Sequence, residues 1–236
     1  MELDASKLSY KEINDQIRSN DSVVLNNVLG QRYIASGASN KEVVINGIPG
    51  NALGSYFNGG KITVNGDGQD ALGDTMNEGT IAVRGNVGDT VGYAMRGGKI
   101  LIKGNAGYRV GIHMKAYKEK NPLIVIGGKV GSFLGEYLAG GTIVVLGIGE
   151  DERVVNFFPC TGMHGGKVFI KNKIKDVVFP EYLNIKKVDS DDLKELSGYI
   201  DEYCQEFSID KEKLLEEEYL VITPSTSNPY KQLYVK

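Results

Sequence analysis

The side chains best able to do chemistry in this 236-residue chain are few and scattered. Its histidines, His113 and His164, sit in unlike contexts, Gly-Ile-His-Met-Lys and Thr-Gly-Met-His-Gly-Gly. They lack the i, i+4 spacing with which a helix holds a hydrolytic zinc. Cys160 and His164 could share an ion, but two ligands do not close a structural site. The two cysteines, Cys160 and Cys204, are too few and too far apart for an iron-sulfur cluster. No cysteine follows Met1 to serve as an amino-terminal nucleophile. Asp70, Asp74 and Asp89 fall on corner segments, where Asp is favoured for turn geometry, and no matched second acid recurs beside them. Glycine triplets such as Gly47, Gly50 and Gly54 resemble a phosphate loop, yet none opens a helix or ends in Gly-Lys-Ser/Thr. No residue is therefore assigned as catalytic, cofactor-binding or metal-ligating.

What the triplets do mark is a period. Glycines 47, 66, 85, 104, 128 and 147 each close a short run of Val and Ile, at steps of 19, 19, 19, 24 and 19 residues. An internal repeat near twenty residues predicts a stacked solenoid, since one repeat cannot bury its apolar face alone. Four positions before each glycine stand Val43, Ile62, Ile81, Ile100, Ile124 and Ile143, and two before it Ile45, Val64, Val83, Ile102, Ile126 and Val145. The position next to the glycine reads Asn46, Asn65, Arg84, Lys103, Gly127 and Leu146, so the opposite face reads as mostly polar. Alternation of this kind is a strand with one buried side.

Two further interior columns follow the corner: Leu53, Leu72, Val91, Val110 and Leu134, then Phe57, Met76, Met95, Met114, Leu138 and Phe157. The methionines in the second are core filling, not a copper or cofactor stripe. The expected fold is all-β, a parallel β-helix of about seven coils and roughly 30 to 35 Å in length.

Composition divides the chain into residues 1–40, 41–172 and 173–236. Of 31 glycines only Gly198 lies beyond residue 172, and net charge changes from +2 before that point to −5 after it. The first part reads as a cap: Ser9 and Glu12 form a capping box for a helix over 10–18, and Val23–Leu25 and Tyr33–Ala35 are expected strands of an irregular first coil. The last part reads as a helix from Asp189 or Ser190 to about Phe207, a shorter one over 211–218, and an extended arm from Thr223. The 115–122 insertion must bulge from one face of the rod. No clustered Lys and Arg suggest nucleic acid, and no apolar run suggests a membrane span. Reduced thiols without a signal peptide read as cytoplasmic.

Arranged this way, the chain resembles the C-terminal GXGXG domain of the large subunit of glutamate synthase, here as a free-standing subunit of the archaeal type. The resemblance rests on Gly30-Gln-Arg-Tyr-Ile34, Pro49-Gly-Asn-Ala-Leu-Gly54, Gln69-Asp-Ala-Leu-Gly73, the segments 88–98, 107–115 and 133–141, and Thr161-Gly-Met-His-Gly-Gly166. The C subunit of formylmethanofuran dehydrogenase, a molybdenum or tungsten enzyme, shares the glycine repeats. A stand-alone protein-binding solenoid is the third reading. The resemblance to glutamate synthase implies a right-handed β-helix that is structural, not catalytic. It would hold amidotransferase and FMN-binding synthase subunits together for glutamate formation from glutamine and 2-oxoglutarate, with FMN and the iron-sulfur cluster on those partners. Expected partner contacts are Gln31, Arg32, Arg109, His113 and the bulge with Lys115, Tyr117 and Lys118; self-association into a homo-oligomer is compatible with the same surfaces.

Overall fold

The computed structural model describes residues 1–225, and the expected arm beyond Ser225 lies outside them. Strands β1 (Glu2–Asp4), β2 (Ser22–Leu29), β3 (Ser39–Ile48), β4 (Asn58–Asn65) and β5 (Glu78–Val83) come first. They continue as β6 (Lys99–Ile102), β7 (Leu123–Ile126), β8 (Ala139–Val145) and β9 (Gly165–Lys171). These stack in chain order as a parallel β-solenoid of about eight turns. Val43, Ile62, Ile81, Ile100, Ile124, Ile143 and Val168 are direct register partners from one coil to the next. All are buried, and identical spacing along the chain becomes a vertical stripe in space.

The corner glycines serve two purposes. At Gly107 an added Cβ would lie 2.1 Å from Asp89 Oδ1 and 2.9 Å from the Gly88 backbone, so the coils approach too closely for a side chain. At Gly54, φ is +66°, a left-handed corner, and its Cβ would meet Ile81 Cδ1 at 2.6 Å; the glycine vacates the space the isoleucine column fills. Residues two before and two after this third glycine are also left-handed without being glycine, among them Ala52, Tyr56, Arg109 and His113. Their N–H groups bond the next coil, as in Arg109 to Ser132 O and His113 to Glu136 O. Those ladder bonds offset the left-handed cost of about 1 to 2 kcal/mol per residue.

Tyr33 and Ala35 belong to such a corner, with φ of +60° and +58°, and are not the strand expected from sequence. Ile34 between them joins the interior Leu53 column through Gly54 N–H to Ile34 O. The first coil is therefore regular, which adds a turn to the count. At the other end Phe157 is 55% exposed, not interior; Met163, fully buried, takes that column instead. The excursion around Glu150–Arg153 lengthens this coil and shifts the count by six residues, shown by His164 N–H bonding Leu138 O where Ala139 N–H bonds Met114 O. A further buried column holds Val87, Ala106 and Val130, each two residues after its strand-closing glycine, and continues to Val155, which pairs with Val130 beyond the excursion.

Polar ladders run outside. Asn46 Nδ2 donates to Asn26 Oδ1, Asn65 Nδ2 to Asn46 Oδ1 and Arg84 Nε to Asn65 Oδ1. At the corner, Asp70 Oδ1 accepts from Asp89 N–H at 2.9 Å and Asp89 Oδ1 from Tyr108 N–H at 2.7 Å. These aspartates satisfy backbone donors of the next coil. Asp89→Ala should cost about 1 kcal/mol in urea unfolding, whereas Asp89→Asn, which keeps the acceptor, should stay within about 0.5 kcal/mol of the parent.

The outward strand face is not polar throughout. Ala82, Leu101, Val125, Val144 and Phe169 form a buried outer stripe covered by helix α2 (Ser190–Phe207) through Leu196, Ile200, Tyr203 and Phe207. Leu193 of the same helix points away from the stripe and is 41% exposed. Gly127 interrupts the polar column because an added Cβ would meet Tyr203 Oη, which donates to Lys103 O at 3.1 Å. Asp189 caps α2 by accepting from Asp191 and Asp192 N–H. Its carboxyl is held at about 2, first by the Asp192 N–H and then by Lys186. Three ion pairs fasten the helix along the rod: Lys61–Glu206, Lys99–Glu202 and Lys167–Glu195.

Helix α3 (Lys211–Leu215) is shorter than the sequence suggests, because the chain turns at Glu216 into another strand. Strands β10 (Leu183–Lys187) and β11 (Tyr219–Pro224), unforeseen as strands, close the sheet edge antiparallel in the order β9-β11-β10. At the amino-terminal end α1 (Tyr10–Ser19) has the expected capping box and buries Ile13 and Ile17. Tyr10 of the same stripe is 44% exposed.

Candidate functional site

The expected contact residues fall in three places. Gln31 is half-buried and turned inward: its Nε2 donates to Ala5 O and its Oε1 accepts from Leu29 N–H. It fastens the first coil and is not an exposed contact. Arg32, exposed beside it, occupies the corner column of Asn51, Asp70, Asp89 and Tyr108, which puts it four coils, roughly 19 Å, from Tyr108.

Arg109 and His113 share one corner near the middle of the rod. The Arg109 guanidinium lies 4.7 Å over the Phe133 ring, with Nε 3.1 Å from a Glu136 carboxylate oxygen. His113 stacks on Tyr137 at 5.0 Å and 6° between planes, and meets Tyr93 edge-on at 6.0 Å. Both side chains stay exposed and are held in place by the next coil.

The bulge is ordered by glycine. Tyr117 and Lys120 exchange both backbone bonds in a tight turn, with Lys118 at φ +54°. Ala116 packs on Gly140, Pro122 on Gly141 and the Lys120 stem on Gly97, while Lys120 Nζ pairs with Glu78 at 2.7 Å. Lys115, Tyr117 and Lys118 therefore project from a fixed base. Arg96, Tyr117, Lys118 and Lys120 with Asn58 and Asn77 enclose a hollow of about 640 Å³.

Sequence reasoning missed an aromatic ridge on the same side. Phe133 stacks on Phe158 at 5.3 Å, Phe158 leans on Phe157, and Arg153 lies 4.7 Å over the Phe157 ring. Aromatic and Arg side chains in this mixture are typical of interface anchors. The Phe-Phe pair was visible in the sequence, but counting nineteen residues from Gly128 placed Phe157 inside.

Chemistry is sparse elsewhere. Cys160 occupies the third-glycine position of its corner at φ +58°, fully buried, and burial pushes its thiol up to about 12. His164 Nδ1 is 2.9 Å from Gly162 O. Among the described residues no three His, Cys, Asp or Glu side chains converge as a metal site would require. No helix among them is long and apolar enough to cross a membrane.

Burial also raises the Tyr203 and Tyr219 phenols. All three groups are held neutral by the fold and ionise more readily once unfolded. Stability should therefore decline above about pH 9, with Cys160 alone contributing about 1.4 kcal/mol per pH unit until its folded pKa is passed. Thermal melts between pH 8 and 11 would show it, and Cys160→Ala should flatten the slope.

The profile of the family described as GXGXG motif matches residues 5–225. An uncharacterized protein of Methanocaldococcus jannaschii is 43% identical over 248 aligned residues, which cover 98% of this chain and 95% of that protein. Among solved structures, a chain of the formyltransferase/hydrolase complex of Methylorubrum extorquens, in complex with methylofuran, superposes with a TM-score of 0.64. That match has 20% identity and covers 93% of this chain and 91% of that one; at this identity the likeness is one of fold.

Proposed function

The chain belongs to the GXGXG motif family, and from that premise we propose that it is a non-catalytic assembly subunit of a multi-subunit enzyme, a rod that positions catalytic chains. The observation that carries this reading is where the polar side chains go. The aspartates and asparagines of the corners are spent on the next coil's backbone, and the exposed functional groups form a ridge of rings, guanidinium groups and lysines.

Of the candidate complexes, one built like formylmethanofuran dehydrogenase has the better support. The solved likeness is to a whole chain of comparable length inside a formyltransferase/hydrolase complex, not to a domain of a longer polypeptide. Glutamate synthase is the second reading, favoured by the Gly30-Gln-Arg-Tyr and Tyr108-Arg-Val-Gly-Ile-His-Met-Lys segments. Part of that signal is architectural, since Gln31 closes the first coil and Arg109 and His113 stand at obligatory corners. In that second reading FMN and the iron-sulfur cluster reside on partner subunits.

Tagged protein expressed at native level in its own cells, followed by mass spectrometry of what co-purifies, separates the two. Subunits of a molybdenum- or tungsten-containing formylmethanofuran dehydrogenase, or of a formyltransferase/hydrolase complex, support the first; a flavoprotein with a glutamine amidotransferase supports the second. Flavin bound to the isolated chain, or glutaminase activity in it, would overturn the assembly role.

A further inference from the structure

The rod holds its own helix by setting lysines of successive strands against glutamates: Lys61, Lys99 and Lys167 meet Glu206, Glu202 and Glu195 at 2.7, 2.6 and 2.5 Å. A second group of cations, at the bulge, has no such counterpart. In the column that follows Phe57, Met76 and Met95, Asn77 N–H bonds Phe57 O, Arg96 N–H bonds Met76 O and Lys115 N–H bonds Met95 O. Asn58 and Asn77 are thus succeeded by Arg96 and Lys115, stacked one coil apart at about 4.8 Å. Like charges placed directly opposite each other destabilise a sheet. Both side chains are exposed, and among the described residues neither forms an ion pair.

The bulge adds Lys118, likewise exposed and without an ion pair, and Lys120, which Glu78 neutralises at 2.7 Å. Around the hollow of about 640 Å³ four cations therefore face two carboxylates, Glu78 and Glu119. This excess is opposite in sign to the net charge of the chain, −3. It is also short. The column is neutral on both sides, with Asn77 one coil before and Ala139 one coil after. A nucleic-acid strand would need a basic track along many successive phosphates, which this patch does not offer.

We propose that the hollow is the docking site of a short acidic segment of a partner subunit, whose carboxylates pair with Arg96, Lys115 and Lys118. The partner's existence rests on the assembly role proposed above; the chemistry of the segment comes from the site. Stacked cations are tolerated where carboxylates come to meet them, as α2 does for Lys61, Lys99 and Lys167. Charge complementarity of this kind selects the partner and fixes its register on the rod.

The test adds the synthetic peptide Gly-Asp-Glu-Tyr-Glu-Asp-Gly to the full-length protein with a water-soluble carbodiimide, which joins a carboxylate to a lysine only where the two already touch. Mass spectrometry should find the peptide on Lys115 and Lys118 several-fold more often than on Lys103 and Lys194, exposed lysines elsewhere. The preference should vanish in about 1 M sodium chloride, where charges are screened beyond roughly 3 Å. Arg96→Glu, at an exposed position, leaves both lysines in place and should still reduce their labelling several-fold, with the melting temperature unchanged. Lys194→Glu should not alter it. Labelling spread evenly over exposed lysines, or indifferent to Arg96→Glu, would overturn the proposal. So would displacement of the peptide by an equal concentration of short single-stranded DNA, or links between two copies of the chain that outcompete the peptide as protein concentration rises. Because the isolated chain is used, selective labelling without co-purifying subunits in cells would refute the assembly role alone. Even labelling beside a full set of co-purified subunits would refute the site alone.

Discussion

Gly60→Ala is expected to destabilise the solenoid by about 3 kcal/mol or more, the sum of a left-handed backbone penalty and overpacking against a neighbouring coil. Gly60 has φ +91°, and an alanine Cβ would stand 2.2 Å from Lys41 O and 2.5 Å from Lys41 N. Both are backbone atoms of the residue's register partner one coil away. Neither can swing aside, because the strand ladder fixes the separation of the coils. The matched control is Gly198→Ala, at an exposed site in α2 where an added Cβ meets nothing within 4 Å. That change should stabilise by up to about 1 kcal/mol through helix propensity. Urea unfolding followed by circular dichroism tests both, and a Gly60→Ala midpoint equal to the parent's would contradict the coil stacking described above.

The second large effect is expected from Ile200→Asp. Ile200 is fully buried between α2 and the outer stripe of Leu101, Val125 and Val144, where a carboxylate finds no partner. Burying it unpaired would cost several kcal/mol, more than the exposed ends of three ion pairs can retain, so the helix should leave the rod. The expected result is a chain that keeps its β-type circular dichroism but self-associates in size-exclusion chromatography with light scattering, through the uncovered stripe. Leu193→Asp, on the exposed side of the same helix, should remain indistinguishable from the parent. Monomeric Ile200→Asp protein with unchanged helix content would mean that the stripe does not hold α2.

Much of the fold was legible because the repeat constrains side chains by position. Ile62, Ile81 and Ile100 can be predicted as vertical neighbours from a nineteen-residue step, and the register pairs them so. Reading failed where the count changed or where one column stood for a whole face. The excursion before Val154 turned Phe157 outward, hiding an aromatic ridge inside an expected core column. Asn46, Asn65 and Arg84 suggested a solvated outer face, although Leu101, Val125 and Val144 two residues earlier in their coils carry the helix contact. Gln31 looked exposed because nothing local announces that Ala5 lies beside it. Strands β10 and β11 were missed for a similar reason: β10 is mostly exposed, and its pairing is imposed by the edge it closes. The repeat places Arg109 and His113 at a corner, but the rings they stack on come from the adjacent coil and have no local signal in the sequence.

The three lysines gripping α2 from β4, β6 and β9 have an evolutionary implication. Repetitive rods ordinarily lengthen or shorten by duplicating or losing a unit, since each unit touches only its neighbours. Here a rigid crosspiece spans several units at once, with Glu195, Glu202 and Glu206 as fixed graduations. Gaining or losing one unit between β4 and β9 would shift a lysine by about 4.8 Å, most of a helical turn, away from its mark. The helix thus acts as a ruler, and this lineage is expected to conserve the number of units between those lysines even as its corners diversify.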